Sequence, residues 1–507
     1  MSSASEIPPV PAATPVPGWG AIVFAVAVAS LAGVLFGYDT GVASGIQGYL
    51  QSYFHLSNAQ LGFAIASLDI GCILGALLAG PITDRFGRKK VLLLCAVLFI
   101  ISGLWSALPR FFWELVLARI LGGLAIGASS MIAPVYICEI APEKHRGRLA
   151  ALFQLGIVIG IAVVYWVNYF IQSYGSGMAA LAKWNQQYGW RWMLGSEAVP
   201  ALLFLILLIF VTESPRWLVV RGRESQARDI LTRFFGAVGA EREIHAVKEV
   251  AAQEEGRWRE LLTAAYRLPL FVALFLAVFS QFSGINSIIY YAPRVFGAAG
   301  MQTTSAFGST ALVGMVNLLF TFVAIAYVDK WGRKLLLTMG TAIQVLALGS
   351  VGVIFALAQR SPLSVLAPGR VTPTALLHFS QGQVVLLLIS VLVFIAAFAI
   401  ALGPIPWIVI SEIFPARIRG RAASTGVLTL WAAVFVVAQT FPMLKHSLGL
   451  TATYFIYAGC SLLTCLFAAF VLPETKGRTL EEIEAYWRRR HLAAAPGSPA
   501  GRQASSR

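Results

Sequence analysis

The stretch Asp84-Arg85-Phe86-Gly87-Arg88-Lys89 returns 245 residues later as Asp329-Lys330-Trp331-Gly332-Arg333-Lys334. A second pair keeps the same order: Glu139-Ile140-Ala141-Pro142, with Arg146-Gly147-Arg148 behind it, matches Glu412-Ile413-Phe414-Pro415, with Arg419-Gly420-Arg421 behind it. One unit has been written twice, so the fold is expected in two related halves.

Outward from these motifs the chain is apolar. Runs of about 20 residues, the length that crosses a bilayer, stand at about 20–44, 59–81, 91–108, 112–138, 149–172 and 193–211, then at 268–296, 307–328, 335–358, 384–411, 422–444 and 450–472. The whole sequence of 507 residues is 58% hydrophobic and 12% charged, against roughly 25% charged in a soluble domain. The expected class is an all-α membrane protein of twelve transmembrane helices in two pseudo-symmetric six-helix halves. Residues 1–18 read as a disordered tail, 19–212 as the first half, 213–267 as a charged helical linker in water, 268–472 as the second half and 473–507 as a tail.

The net charge of +15 raises the possibility of nucleic acid, but the basic residues alternate by loop. With a cytoplasmic N-terminus, 30 of the 38 Lys and Arg fall on the cytoplasmic side, and Arg119 lies within a run. That asymmetry puts both termini in the cytoplasm of a multi-pass cell-membrane protein. A nucleic-acid surface needs one basic face with interleaved aromatics, which this distribution lacks. The five cysteines lie in or at the ends of apolar runs without metal-ligand spacing, so no metal and no cofactor are expected. The six histidines are scattered and no Ser/His/Asp set is present, which argues against an enzyme.

The duplicated charges suggest a cytoplasmic latch. Gly87 and Gly332 permit a tight turn between helices. Asp84, Glu139, Asp329 and Glu412 are placed to accept from Arg88, Arg146, Arg333 and Arg419, holding helix ends together while that side is closed. Read one loop at a time, the same charges serve topology alone. Two matching halves imply a cavity between them and the freedom to rock.

The sequence resembles the sugar porters of the major facilitator superfamily over nearly its whole length. The likeness is carried by Gly37-Tyr38-Asp39-Thr40-Gly41, the two Asp-x-x-Gly-Arg loops, Arg119-Ile120-Leu121-Gly122-Gly123, Glu213-Ser214-Pro215-Arg216-Trp217-Leu218, Gln281-Phe282-Ser283-Gly284-Ile285-Asn286, Gly403-Pro404-Ile405-Pro406-Trp407 and Pro473-Glu474-Thr475-Lys476-Gly477-Arg478. The resemblance implies a monomeric importer of a small sugar or polyol by alternating access, coupled to protons, with short cytoplasmic linker helices that help close the inner gate. A facilitative uniporter and a transporter-like sugar receptor are the other readings.

Asp39 lies near the outer end of the first run and Arg119 about 12 Å into the fourth at 1.5 Å per residue, depths that allow a pair. An ionisable residue there costs about 2.5–3.5 kcal/mol to insert, so pairing or function explains it. By resemblance, an aspartate at Asp39 accompanies proton symport, and Glu197 matches a coupling position, although near a helix start it is also placed to face the vestibule. Asp69 has no motif: it either lines the cavity or is a protonated buried acid bonded to a neighbour.

Hydroxyl-rich solutes call for groups that both donate and accept, with aromatic faces for the sugar ring. The resemblance assigns Gln154, Gln281, Asn286, Trp407 and Trp431 to the sugar and places Tyr290 and Tyr291 as a gate above it. For each aromatic, ordinary packing is the other reading. In an unbroken helix Gln281 and Asn286 diverge by about 140°, so an interruption at Gly284 is expected to turn both to the cavity. Gly403, Pro404 and Pro406 predict a similar break. Ser280 and Leu430 stand where relatives commonly carry amides. Fewer bonds point to another monosaccharide, a pentose, an inositol or a deoxy sugar.

Overall fold

The computed structural model describes residues 18–176, 183–251, 258–263, 266–360, 377–414, 416–474, 476 and 482. Among them are twelve helices long and apolar enough to cross a membrane. In chain order, spans one to six are Trp19–Tyr53, Asn58–Phe86, Arg88–Ala107, Phe112–Ile140, Arg146–Ser176 and Asn185–Ile209. Spans seven to twelve are Arg267–Ala298, Thr303–Val328, Arg333–Ala356, Gln381–Ile410, Gly420–Ser447 and Gly449–Phe470. A two-residue ladder, Gln359 against His378 and Arg360 against Leu377, is the one departure from helix among the described elements.

Local chemistry fixes where helices begin and turn. Ser57 accepts from the amide of Gln60, whose side chain accepts from the amide of Ser57, and Ser380 with Gln383 repeats this capping box at span ten. Gly87 and Gly332 each link two helices at φ near +95° and +87°, a conformation that favours glycine. These tight turns mark one end of the bundle, here called the loop end; the opposite end is the far end.

Small residues set the distances between helices. A Cβ on Gly37 would lie 1.8 Å from the Ile157 carbonyl, and one on Gly160 would lie 2.1 Å from that of Val34, so spans one and five touch backbone to backbone. Spans two and four meet likewise: a Cβ on Gly71 would come within 2.1 Å of the Ile120 carbonyl, and one on Gly123 within 2.0 Å of that of Leu68. This contact brings Asp69 alongside Arg119.

Span one runs further than the hydropathy suggests. It continues to Tyr53, so Asp39 lies about 21 Å from the helix end at 1.5 Å per residue, not near it. Gln47, Gln51 and Ser52 lower the hydropathy while the helix continues, and two of them bond to the second half, as described below. Span six starts at Asn185 with a π-helical turn; its helix is interrupted at Ser196 and Glu197, which places Glu197 inside the span rather than at a vestibule.

Between the halves, Pro215–Val220 and Glu224–Ala251 are helical, the second broken at Gly236 with φ +77°. Their apolar faces, Trp217, Leu218, Ala227, Leu231, Ala240 and Ile244, bury one another. They dock on the first half: Trp217 Nε1 donates to the Asp84 carbonyl at 2.8 Å, and the Gly18 amide donates to that of Phe234 at 3.2 Å.

Candidate substrate and proton site

Span seven is two helices, Arg267–Phe282 and Ile285–Ala298, joined at Gly284 with φ +83°. A Cβ there would sit 2.5 Å from the Tyr457 ring, so glycine is required by both conformation and space. The break turns Asn286 back toward Gln281, and Asn286 Nδ2 donates to Gln281 Oε1 at 2.8 Å. Gln281 Nε2 donates to Ser280 Oγ at 3.0 Å, so the serine supports the glutamine. Span ten is also interrupted, between Ile400 and Ile405, but without a left-handed residue.

Trp431 on span eleven is buried and packs on Phe36 of span one, ring centroids 5.3 Å apart, which puts it between the halves. Gln154 is half-buried on span five, and Trp407 is 39% exposed. No hydrogen bond or ring contact joins either to the amide pair among the described residues. The amides and Trp431 thus occupy the inside of the bundle, while Gln154 and Trp407 are assigned by motif alone.

Across the bundle, Arg119 Nη1 on span four pairs with Asp39 Oδ1 on span one, and both side chains are at most 3% exposed. Glycines admit the pair: a Cβ on Gly122 would lie 2.9 Å from Asp39 Oδ2 and 2.5 Å from Ser102 Oγ. Glu197 is 2% exposed, beside Gly103, and feels the charges of both Asp39 and Arg119. It therefore belongs to the buried group. Asp69 is 0% exposed, and among the described residues neither of its carboxyl oxygens has a hydrogen-bond partner.

At the loop end, Arg88 grips Glu139 with Nε at 2.9 Å and Nη2 at 2.8 Å, the bidentate geometry that suits a carboxylate. Arg333 Nη2 donates to Glu412 Oε1 at 2.8 Å in the second half. Both pairs join helices within one half, not one half to the other. Asp84 is 3.6 Å from Arg88 and largely exposed, and its backbone carbonyl is the better-used acceptor. Among the described residues Arg146 makes no ion pair, and its Nε is buried without a partner. The side chains of Asp329 and Arg419 lie outside the described residues.

The residues that the sequence reading missed are Glu213 and Glu474. Glu213 Oε1 accepts from the amides of Arg88 at 2.9 Å and Lys89 at 3.1 Å, at the positive start of span three. Glu474 repeats this at span nine, accepting from Arg333 and Lys334 at 3.0 and 3.1 Å. The signal was present: both glutamates follow the sixth span of their half, in the motifs that carried the family likeness, but as motifs they showed no partner.

At the far end the halves are bonded to each other. Gln47 donates to the Tyr290 carbonyl and Arg294 to Gln51 Oε1. Tyr165 Oη donates to the Ile289 carbonyl at 2.7 Å and Gln439 Nε2 to that of Ala59 at 3.0 Å. Within the second half, Tyr291 Oη donates to the Ala438 carbonyl at 3.0 Å. Of the two tyrosines expected as a gate, Tyr290 joins the bonding between halves through its backbone carbonyl.

Residues 25–487 match the family of sugar (and other) transporters. The chain belongs to that family. Among members of the sugar transporter family it is 37% identical to the arabinose-proton symporter of Bacillus subtilis, covering 92% of this chain and 95% of that protein. It is 39% identical to the D-xylose-proton symporter of Escherichia coli, over 91% and 94%. A partially occluded inward-open structure of the E. coli xylose transporter XylE matches with a TM-score of 0.77 at 37% identity, over 91% of this chain and 100% of that one. The structure of the proton:xylose symporter bound to 6-bromo-6-deoxy-D-glucose matches at 0.72 and 38% identity, over 93% and 100%. The protein is a twelve-span transporter of the major facilitator type, not an enzyme.

Proposed function

We propose that the protein imports a monosaccharide or related polyol across the cell membrane by proton symport, with pentoses the first candidates. The observation that carries this reading is the buried Asp39–Arg119 pair: an acid with a single basic partner, deep in a transporter, is suited to exchange a proton for a change of shape. The relatives named for xylose and arabinose support the pentose class.

Gln281, Asn286 and Trp431 bind the sugar between the halves, with Gln154 and Trp407 completing the site, and Tyr290 and Tyr291 close over it from outside. Protonation of Asp39 frees Arg119 and shifts the balance between outward-open and inward-open states. Glu197 shares that balance because it feels both charges.

The basic loop end faces the cytoplasm with both termini, and the halves, residues 19–212 and 268–472, rock about the site in a monomer. Bonding of the halves at the far end supports an inward-facing state for this conformation. Arg88–Glu139 and Arg333–Glu412, capped by Glu213 and Glu474, keep the inner ends of each half rigid so that each moves as a body.

The test is uptake of radiolabelled pentoses, hexoses and polyols into cells lacking other sugar carriers, with and without a protonophore. Concentrative uptake that collapses with the protonophore is expected. Uptake that equilibrates and ignores it describes a uniporter, and binding without uptake describes a receptor.

A further inference from the structure

Three side chains around the break in span seven form one hydrogen-bonded row. Ser280 Oγ donates to the Ala277 carbonyl at 2.9 Å, Gln281 Nε2 donates to Ser280 Oγ at 3.0 Å, and Asn286 Nδ2 donates to Gln281 Oε1 at 2.8 Å. Ser280 is 1% exposed, against 8% for Gln281 and 6% for Asn286, so the amides and not the serine retain surface for a solute.

The row has a direction. A hydroxyl has a single hydrogen to give, while an amide has an oxygen that only accepts and a nitrogen that only donates. Because Ser280 gives its hydrogen to Ala277, it meets Gln281 as an acceptor and draws the amide nitrogen toward itself. That turns Gln281 Oε1 to Asn286, which must answer with its nitrogen, and Asn286 Oδ1 is left as an acceptor for the solute. In the reverse order Ser280 donates to Gln281 Oε1 and Gln281 Nε2 to Asn286 Oδ1, and the bond to Ala277 is lost. The observed order is therefore ahead by one hydrogen bond, a preference of about 2–10-fold. Without the hydroxyl, either order keeps only the bond between the amides, and the preference disappears.

We propose that Ser280 is a positioning residue that sets the polarity of the sugar site: acting through Gln281, it holds Asn286 Oδ1 toward the solute, so the site selects a sugar or polyol that presents a donating hydroxyl there. A ligand with a non-donating acceptor at the same place is disfavoured, because accommodating it means reversing the row. This deepens the sugar-binding reading above and rests on it.

The test uses the full chain in lipid nanodiscs and calorimetry with D-xylose, L-arabinose and D-glucose, then with the monodeoxy and monodeoxyfluoro analogues of whichever binds best. A deoxy carbon neither donates nor accepts, whereas fluorine repels a carbonyl oxygen and tolerates an N–H. At one ring position the wild type is expected to bind the fluoro analogue about 2–10-fold more weakly than the deoxy analogue. In Ser280→Ala the two should bind alike. Ser280→Cys, which fills the same space with only a weak donor and acceptor, should behave as the alanine variant and serves if that variant does not fold. Ser280→Thr keeps the hydroxyl and should keep the wild-type ratio. A packing role for Ser280 would lower all affinities together and leave the ratio unmoved. A wild type that disfavours fluorine at no position, or one ratio shared by the wild type and the alanine and cysteine variants, overturns the proposal.

NMR of the isotope-labelled side-chain amides, without sugar and with the Asn286 signals assigned from Asn286→Asp, reads the row itself. One Asn286 environment should dominate in the wild type and two of comparable population should appear in Ser280→Ala; equal spectra overturn the proposal. Binding of none of the three sugars contradicts the sugar reading instead, and the NMR result then decides the polarity of the row on its own.

Discussion

Glu213 and Arg88 meet through the backbone: the carboxylate of the first accepts the amide of the second at 2.9 Å, while the Arg88 side chain grips Glu139 on span four. One residue thus joins the end of span four, the start of span three and the segment after span six. Glu474 and Arg333 repeat the arrangement with Glu412. The pairs expected to hold helix ends together do so within each half in this conformation, as a brace.

Removing a brace should impair exchange between conformations rather than sugar binding. Glu213→Ala leaves two amides at the start of span three without their acceptor, a loss of about 1 kcal/mol or more. Turnover is expected to fall several-fold with little change in equilibrium sugar affinity, and Glu474→Ala should act alike. Normal turnover in both variants would remove the brace from the mechanism.

The amide pair makes a prediction of the opposite kind. Gln281→Ala and Asn286→Ala each delete a partner of the 2.8 Å bond and a group facing the proposed sugar. Affinity measured by calorimetry should drop about 2–10-fold in each, at about 0.5–1.5 kcal/mol per hydrogen bond. Unchanged affinity in both variants places the sugar elsewhere.

Gly284→Ala tests the break in span seven. A left-handed conformation at a non-glycine residue costs about 1–2 kcal/mol, and the added Cβ meets the Tyr457 ring at 2.5 Å. A lower thermal midpoint and loss of sugar binding are both expected. A stable variant with wild-type binding would mean that the break does not orient the amides.

The far-end bonds predict a shift in population. Tyr165→Phe removes the hydroxyl that holds the Ile289 carbonyl, worth about 0.5–1.5 kcal/mol. Exchange protection of Ile285–Ala298 should fall about 2–10-fold. Unaltered protection would show that this bond does not hold the far end closed.

Hydropathy and repetition made the twelve spans legible, and Gly284, Gly403 and Pro404 announced the two broken helices. The Asp39–Arg119 pair was legible too, because an ion inside a bilayer must find a partner. The extent of span one was hidden: Gln47 and Gln51 read as a helix end, and only their bonds to the second half explain them. The capping glutamates were hidden for a related reason. Their partners are backbone amides, which carry no residue signature. Asp69 was visible as an oddity, but its complete burial is a tertiary fact.

The central claim is that Asp39 couples the proton to the sugar, and Asp39→Asn in proteoliposomes tests it most directly. The amide keeps the shape of the acid but takes up no proton at the pH of the assay. With an inward proton gradient and the transported pentose, the wild type should accumulate sugar above the external concentration, and the variant should reach equality while retaining counterflow. Undiminished, gradient-driven accumulation by Asp39→Asn would contradict the account.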